Sequence, residues 1–318
     1  MSSIIAVAGG TGSLGRAIVD ALHATAKFTV IVFSRQEVSE EKQKEIGARV
    51  ISVDYTDAAG LVEVLEKNRI DTVISTMAYT EGPAAELALM QAAERSAVTK
   101  RLIPSIWGVP YDRDSDTSDS AVPMFPAAQQ KLEVMGCLDT LSLEHTVFYT
   151  GYFFDYYTRE LPTYMQPVAF VLDIPNNAAA IPGSGEVPVV FTHTWDVAKF
   201  VAAYAEKPQW DREAYVIGDK ITLNELVRLA EEVKGKKFRV SYDTVEDLLD
   251  HKVTELPCYP QIYPFFPKEA LMSLIAGIGW LFEKGYFDLN GERTLNEDFK
   301  SIKARSTREL LVQASKSK

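Results

Sequence analysis

The chain has 318 residues, a formal net charge of −11 and two cysteines. This length suffices for one domain of ordinary size plus a smaller lobe, and the negative charge argues against partners that present phosphate, such as nucleic acids or anionic membranes. The two cysteines are too few for a disulfide framework, no apolar run reaches about 20 residues, and the first predicted strand begins near residue 4. These features predict a cytoplasmic protein without a membrane span or targeting segment.

The first predicted elements are a short apolar strand, a glycine-rich turn and a helix. The segment 4–15 reads IIAVAGGTGSLG, and the apolar spacing of Leu14, Ile18 and Leu22 indicates a helix directly after the turn. This layout is typical of a dinucleotide-binding turn, in which glycines allow a sharp bend, a close approach to pyrophosphate and tight helix packing. The residues predicted to contact the cofactor here are Gly9, Gly10, Thr11, Gly12, Ser13, Leu14 and Gly15.

The second predicted strand, residues 28–33, ends at Ser34 and Arg35, where this kind of fold binds the adenosine ribose. An NAD-selective site would place a carboxylate at this point, and the sequence has none. Arg35 can instead pair with a 2′-phosphate and Ser34 can donate to it, which predicts NADP(H) as the cofactor. The alternative is that Arg35 is an ordinary solvated loop residue.

Further strands are predicted at 48–53, 70–75 and 101–104, each after a helix-like stretch. This alternation predicts an α/β fold, a Rossmann-type doubly wound parallel sheet whose ligands bind beyond the carboxyl ends of the strands. The residues that follow two of these strands are therefore predicted to contact the cofactor. They are Asp54, Tyr55, Thr76 and Met77; for Asp54, a role in capping the next helix is an equal alternative.

The segment 109–126 contains several aspartates, but it lacks the spacing of a calcium loop and is interpreted as a solvated loop rather than a metal site. No metal site is predicted anywhere in the chain. Pro126 suits the first position of a helix, in which Leu132, Met135 and Leu138 form an apolar face with Lys131 beside it.

Beyond residue 150 the alternation becomes less regular, which predicts a dinucleotide-binding domain at 1–150 and a smaller α/β substrate lobe at 151–318, with strands able to return to the main sheet. The segment 221–235 predicts a helix capped by Thr222 and ended by Gly235. The apolar run 271–282 is too short to span a membrane and predicts a core helix or a pocket cover. His193, at a strand end, is interpreted as a structural rather than a catalytic histidine.

Taken together, several segments resemble the atypical short-chain dehydrogenases of the NmrA-like and isoflavone reductase-like group. They occur in the order and spacing of that family and cover nearly the whole chain: KRLIPSIWGVPYDRD, QQKLEVMGCLDT, LEHTVFYTGYFFDYY, PGSGEVPVVFTHTWDVAKFVAAY and ITLNELVRLAEEVKGKK. The resemblance implies an NADP(H)-binding lobe, a substrate cleft against a small C-terminal lobe, and a lysine facing the nicotinamide, which Lys131 matches.

Lys131 is accordingly the predicted catalytic residue and also a cofactor contact, with a helix-surface lysine as the alternative. The position four residues earlier is Ala127, so the tyrosine–lysine pair of ordinary short-chain dehydrogenases is absent. A lysine desolvated beside the nicotinamide would have a lowered pKa, which suits proton transfer. Where plant members commonly show an acidic residue and Phe, this chain has Ile106 and Trp107, which argues against plant phenolic substrates.

Aromatic residues are the remaining predicted contacts. Tyr149 is assigned to the cofactor, and Trp107, Tyr152 and Phe153 to the substrate, with packing in the core as the alternative. The leading hypothesis is an NADPH-dependent reductase of a small, aromatic or polyketide-like metabolite. The alternatives are an NmrA-like dinucleotide sensor acting through a protein partner, and a redox-neutral pathway enzyme on the same fold.

Overall fold

The computed structural model describes residues 3–79, 82–112, 125, 127–166 and 168–317. The loop predicted at 109–126 lies mostly outside them, as does the predicted helix start Pro126. Strands and helices alternate as far as β6, and β7 follows it directly: β1 (Ser3–Ala8), α1 (Ser13–Thr25), β2 (Phe28–Ser34), α2 (Glu40–Ile46), β3 (Arg49–Ser52), α3 (Ala58–Lys67), β4 (Thr72–Ser75), α4 (Ala84–Arg95), β5 (Arg101–Ile103), α5 (Ala127–Leu138), β6 (Glu144–His145) and β7 (Val147–Tyr149).

The later part of the chain has shorter strands and longer connections. Two 3₁₀ turns, Phe154–Tyr157 and Tyr259–Gln261, interrupt it. Its elements are β8 (Tyr152–Phe153), β9 (Leu172–Asp173), β10 (Ala178–Pro182), β11 (Pro188–Thr192), α6 (Thr194–Tyr204), β12 (Glu213–Tyr215), β13 (Asp219–Thr222), α7 (Leu223–Lys234), β14 (Arg239–Asp243), α8 (Val245–Leu249), α9 (Lys268–Glu283), α10 (Leu295–Asp298) and α11 (Thr307–Lys316).

The main sheet is parallel throughout, in the order β3-β2-β1-β4-β5-β6. Its central strands are buried on both faces, which their continuous apolar sequences require. The predicted Rossmann-type parallel sheet is therefore confirmed. The chain leaves β1 in one direction and returns at β4 on the other side, and this reversal opens a crevice at the carboxyl ends of the two strands.

Three small sheets follow, in the orders β14-β10-β9, β13-β11-β8 and β12-β7. The helix α6 lies against α1 in a shared apolar cluster that includes Ile18, Leu22, Val197 and Val201. Strand β12 pairs in parallel with β7, so the later half of the chain also extends the first. The division at residue 150 stays a prediction.

Three helices that the sequence predicts, α5, α7 and α9, are present in the structure. Thr222 caps α7 in a reciprocal capping box with Glu225, and Gly235 ends the helix at a φ of +66°, as predicted. The apolar run 271–282 lies within α9, which is largely buried. On α5 the predicted apolar face packs against the core, with Leu138 buried and Leu132 and Met135 partly buried, and Ala128 and Val134 are buried as well.

No helix in the described part of the chain is both long and apolar enough to cross a membrane.

Candidate functional site

The glycine turn between β1 and α1 shows three different reasons for having no side chain. Gly9 has a φ of +79°, and its missing Cβ leaves room for the Thr76 hydroxyl. A Cβ on Gly15 would overlap that same hydroxyl and the Gly9 carbonyl oxygen. At Gly12 the backbone is extended and no heavy atom lies within 4 Å of the Cβ position, so the absent side chain leaves open space. Gly12 therefore fits the close approach of a pyrophosphate.

The start of α1 is suited to an anion. No side chain caps this helix terminus and no acidic residue lies in its first turn. The backbone amides of Ser13, Leu14 and Gly15 belong to the helical turn whose donors lack an intrahelical acceptor. These donors and the positive end of the helix dipole favour a phosphate group. Ser13 has a φ of +49°, a conformation uncommon outside glycine, at the helix start itself.

The remaining turn residues differ in their surroundings. A Cβ on Gly10 would lie 3.0–3.1 Å from side-chain carbons of Val19 and Val32, so this glycine serves close packing of the helix on the sheet. Leu14 is buried in the core beneath the turn, whereas Thr11 is partly exposed. The amides and Gly12 are therefore the parts of the turn that fit a cofactor, and Gly10, Leu14 and Gly15 shape it from below.

Two alanine substitutions separate these roles. We expect Gly12→Ala to leave thermal stability unchanged or slightly higher, since the site is open and alanine restricts the unfolded chain, but to weaken NADPH binding. Gly15→Ala should lower the free energy of unfolding by about 1–3 kcal/mol, because the new methyl group has no room. Thermal unfolding without ligand and a fluorescence titration with NADPH distinguish the two. A Gly12→Ala protein with unaltered NADPH affinity would contradict this assignment.

At the next strand end, Ser34 closes β2 and Arg35 follows as an exposed residue. The Gln36 amide donates to the Ser34 hydroxyl (3.2 Å), which shapes the bend after the strand. Tyr55 is buried nearby, and burial together with Glu86 raises the pKa of its hydroxyl. Asp54 accepts from the amide and hydroxyl of Thr56 (2.8 and 2.7 Å) and so stabilises a turn.

The cap of α3 is a neighbouring carboxylate, Asp57, which accepts from the Gly60 amide (2.9 Å). Asp54 is therefore not that cap. Its predicted contact with the cofactor stays a prediction.

The loops after β4 and β5 are joined to each other and to β1. The Thr76 hydroxyl donates to the Ala8 carbonyl (2.8 Å), which ties the end of β4 to the glycine turn. The Ser105 hydroxyl donates to the Met77 carbonyl (2.9 Å), which ties the loop after β5 to the loop after β4. The predicted contacts Thr76 and Met77 thus lie together at the crevice edge of the sheet.

Lys131 reaches this edge from α5. Its ammonium group donates to the Ser105 carbonyl and lies 4.1 Å from the centre of the Tyr79 ring. Burial lowers the pKa of Lys131 to about 8, against the opposing effect of the Glu86 carboxylate. At helical spacing Lys131 lies on the same side of α5 as the buried Ala128, Val134 and Leu138, and next to the predicted face. Lys131 is therefore partly buried and hydrogen-bonded at this edge, and its catalytic role stays a prediction.

Glu86 is not among the site residues that the sequence predicts. It lies in the first turn of α4, is 1% exposed, and accepts from the Ser75 hydroxyl and from the Ser105 amide (2.9 Å). Burial raises the pKa of Glu86, while these two donors and Lys131 oppose the increase. A sequence signal did exist: Leu89, Met90 and Ala93, which follow at helical spacing, place Glu86 on the apolar face of α4.

The predicted aromatic contacts separate into two groups. Trp107 is half-buried, its indole N–H donates to the Ser75 carbonyl (2.9 Å), and Phe153 packs against the same apolar cluster. Tyr152 instead lies in the interior of the later half, among the rings of Tyr156, Tyr157, Phe170, Phe191, Phe282 and Phe287.

Tyr149 is fully buried, with its ring 5.1 Å from that of Tyr215. The structure therefore brings Trp107 to the crevice edge, and packs Tyr152 and Tyr149 in the core. The predicted contacts of Tyr149 with the cofactor and of Tyr152 and Phe153 with the substrate stay predictions.

His193 has a structural environment. It caps α6, accepting at Nδ1 from the Trp195 amide (3.3 Å), and is buried beside Asp155 at 3.6 Å. Asp155 in turn accepts from the amide and hydroxyl of Thr194 (2.8 and 2.6 Å). Burial lowers the pKa of His193, which keeps the imidazole neutral. These contacts agree with the structural interpretation.

The parallel sheet, its strand order and the glycine turn define a Rossmann-type protein of the dinucleotide-binding class. The chain belongs to the NmrA-like family, whose family model matches residues 1–304. Among curated proteins it is 33% identical over 237 residues to Oxidoreductase BOA1 of Botryotinia fuckeliana, covering 74% of this chain and 77% of that protein. It is 29% identical over 287 residues to Oxidoreductase swnN of Metarhizium robertsii, covering 82% of each.

Solved structures show the same fold at lower identity. The structure titled AtPrR2 with NADP⁺ and (+)pinoresinol matches with a TM-score of 0.76 at 21% identity, covering 99% of both chains. A ternary complex of leucoanthocyanidin reductase from Vitis vinifera matches with a TM-score of 0.77 at 18% identity, covering 98% of this chain and 99% of that one. The resemblance to the isoflavone reductase-like branch is thus confirmed at the level of fold and family.

Proposed function

We propose that this protein reduces a small, aromatic or polyketide-like metabolite, with Lys131 supplying the proton. The protein is an NADPH-dependent oxidoreductase of the NmrA-like family, in agreement with relatives that are named oxidoreductases and with fold neighbours solved with NADP⁺ or NADPH. The proposal that Lys131 supplies the proton rests on the position of this residue. Its ammonium is desolvated at the crevice edge, between the loops that follow β4 and β5.

The chain's own residues fit the cofactor. Gly12 leaves open space beside the α1 amides for the pyrophosphate, and Arg35, directly after β2, would pair with the 2′-phosphate. When bound, NADPH supplies the hydride for the reduction. Lys131 then has one task, which is to deliver the proton from Nζ. A pKa of about 8 leaves the group largely protonated at neutral pH and makes it an effective donor.

Two observations support an aromatic substrate class. Trp107 is fixed by its bond to Ser75 with part of its ring accessible at the crevice edge. A plant relative, Phenylcoumaran benzylic ether reductase TP7 of Nicotiana tabacum, 27% identical over 80% of this chain, has a name that indicates an aromatic substrate. Ile106 and Trp107 argue against the same plant phenolics here, so the proposal extends only to the aromatic class. The two free cysteines agree with a location in the cytoplasm, which we also propose.

A binding and turnover experiment tests the proposal. The purified protein is titrated with NADPH, NADP⁺, NADH and NAD⁺ at fixed ionic strength, following tryptophan quenching, and then assayed for NADPH oxidation against electron-poor aromatic carbonyl compounds. Selective NADPH binding and turnover would support it. A preference for oxidised cofactors without turnover would instead favour the dinucleotide sensor, and product formation without NADPH consumption would favour a redox-neutral enzyme.

A further inference from the structure

We propose that Glu86 is a positioning residue for Lys131: through Ser105 it keeps the lysine ammonium charged and directed toward the crevice. The inference rests on the proposed function in its consequence for turnover, but the interaction itself is a property of the free protein. The proposal rests on the contacts of three residues on three different elements: Glu86 on α4, Ser105 in the loop after β5 and Lys131 on α5.

The Glu86 carboxylate is held by hydrogen bonds at both of its oxygens. Both Glu86 oxygens accept a hydrogen bond, Oε2 from the Ser75 hydroxyl at the end of β4 and Oε1 from the Ser105 amide. The Ser105 amide is an obligate donor, which an oxygen acceptor on Glu86 satisfies. The ionised form is therefore the one that these contacts favour, since a carboxylate accepts at both oxygens.

Ser105 connects the Glu86 carboxylate to the Lys131 ammonium. Ser105 gives its amide proton to Glu86 and accepts from the Lys131 ammonium at its carbonyl oxygen. One residue thus bridges the two opposite charges, and its hydroxyl, bonded to the Met77 carbonyl, fixes it in the loop. A buried charge is costly unless an opposite charge compensates it, so each member of this pair favours the ionised form of the other.

Three tyrosines are the other titratable groups that the structure describes close to Lys131 or Glu86. Tyr79 lies under the Lys131 ammonium with Tyr111 close to it, and Tyr55 lies near Glu86 with Arg35 beyond it. Burial raises the pKa of each of these three tyrosines, so they stay neutral at the pH values at which Lys131 titrates. Among the described residues, Glu86 is therefore the acidic group that acts on Lys131.

The test is the variant Glu86→Gln, which removes the charge and retains the shape. The amide oxygen can still accept from Ser105, and the amide nitrogen can donate to the Ser75 hydroxyl, so the fold is preserved. Protein labelled with ¹³C and ¹⁵N in lysine is titrated by NMR, and the Lys131 signal is assigned with Lys131→Arg. We expect the Lys131 midpoint to fall by about one pH unit or more. Thermal unfolding checks that the variant is folded.

Glu94→Gln is the matched control. It makes the same change of charge on the same helix, but Glu94 accepts from Ser142 and Leu143 at the surface, so the Lys131 midpoint should not move. An unaltered midpoint in folded Glu86→Gln would overturn the inference. If that variant does not fold, Lys131→Met is used instead. The Glu86 ¹³C carboxyl signal, assigned by triple-resonance NMR, should then titrate at higher pH than in the wild-type protein. An unaltered Glu86 midpoint would overturn the inference equally.

Kinetics separate this inference from the proposed function. Where turnover is found, the alkaline limb of the kcat profile should move to lower pH in Glu86→Gln by the same amount as the NMR midpoint, with the KM for NADPH unchanged. A shifted midpoint in a protein that never turns over would leave the pairing intact and refute the reductase proposal. Turnover with an unmoved midpoint would refute the role of Glu86 alone.

Discussion

Replacing Lys131 by alanine is expected to reduce kcat by roughly 10²- to 10⁴-fold, the usual contribution of a positioned proton donor. The affinity for NADPH should change far less, because the glycine turn and Arg35 are untouched. The measurement is steady-state kinetics on a substrate found by screening, beside a fluorescence titration with NADPH. Lys67→Ala, at an exposed position on α3, is the control. Turnover retained in Lys131→Ala would rule out the catalytic role.

The same lysine predicts the pH dependence of the wild-type enzyme. Lys131 donates only when it is protonated, so kcat for reduction should fall about tenfold per pH unit once the pH exceeds about 8. The lowered pKa also affects stability. Between about 8 and 10.5 the unfolded chain binds the proton that the folded chain has lost, so this residue makes the free energy of unfolding rise with pH across that window.

Replacing Arg35 by aspartate is expected to reverse the cofactor preference. Loss of a charged hydrogen bond to the 2′-phosphate should cost about 1.5–3 kcal/mol, which weakens the binding of NADPH roughly 10- to 150-fold, and the new carboxylate adds repulsion. Binding of NADH should be unchanged or better, since a carboxylate at this strand end can accept from the ribose 2′-hydroxyl. Titration with both cofactors measures the ratio.

Arg49→Asp is a suitable control for this experiment. Arg49 begins β3, pairs in register with Ile31 rather than with the strand end at Ser34, and donates to the Asn68 side chain (3.0 Å), so the substitution alters the net charge equally but before the strand end. Equal loss of NADPH affinity in both variants would show a general effect of charge. Unchanged affinity in Arg35→Asp would refute the assignment of the 2′-phosphate site.

The elements that the sequence predicted correctly depend on local signals. The glycine turn, the first five strands and the capped helix α7 each follow from residues close together in the chain, such as Gly9 and Gly15, or Thr222 and Glu225. The side of a helix that becomes buried depends on what packs against it. On α5 Lys131 donates to the Ser105 carbonyl in the loop after β5, and no local pattern in the sequence predicts that contact.

Glu86 illustrates the same limit at the candidate site. An acidic residue in the first turn of a helix is favourable in solvent, because it complements the helix dipole. Its burial results from Ser75 and Ser105, which lie 11 and 19 residues away along the chain. The aromatic residues are similar: neighbours in the sequence, Tyr152 and Phe153, enter different apolar clusters because successive side chains of a strand point to opposite faces.

The contact between α1 and α6 has a consequence for how the molecule is made. The apolar side of the helix that follows the glycine turn is covered by residues such as Val197 and Val201, which the ribosome adds about 180 residues after Ile18 and Leu22. Until then, Ile18 and Leu22 have no partner from that helix. The nucleotide-binding half therefore completes its core late in synthesis, and a fragment ending at residue 150 would expose this apolar surface and be prone to aggregation.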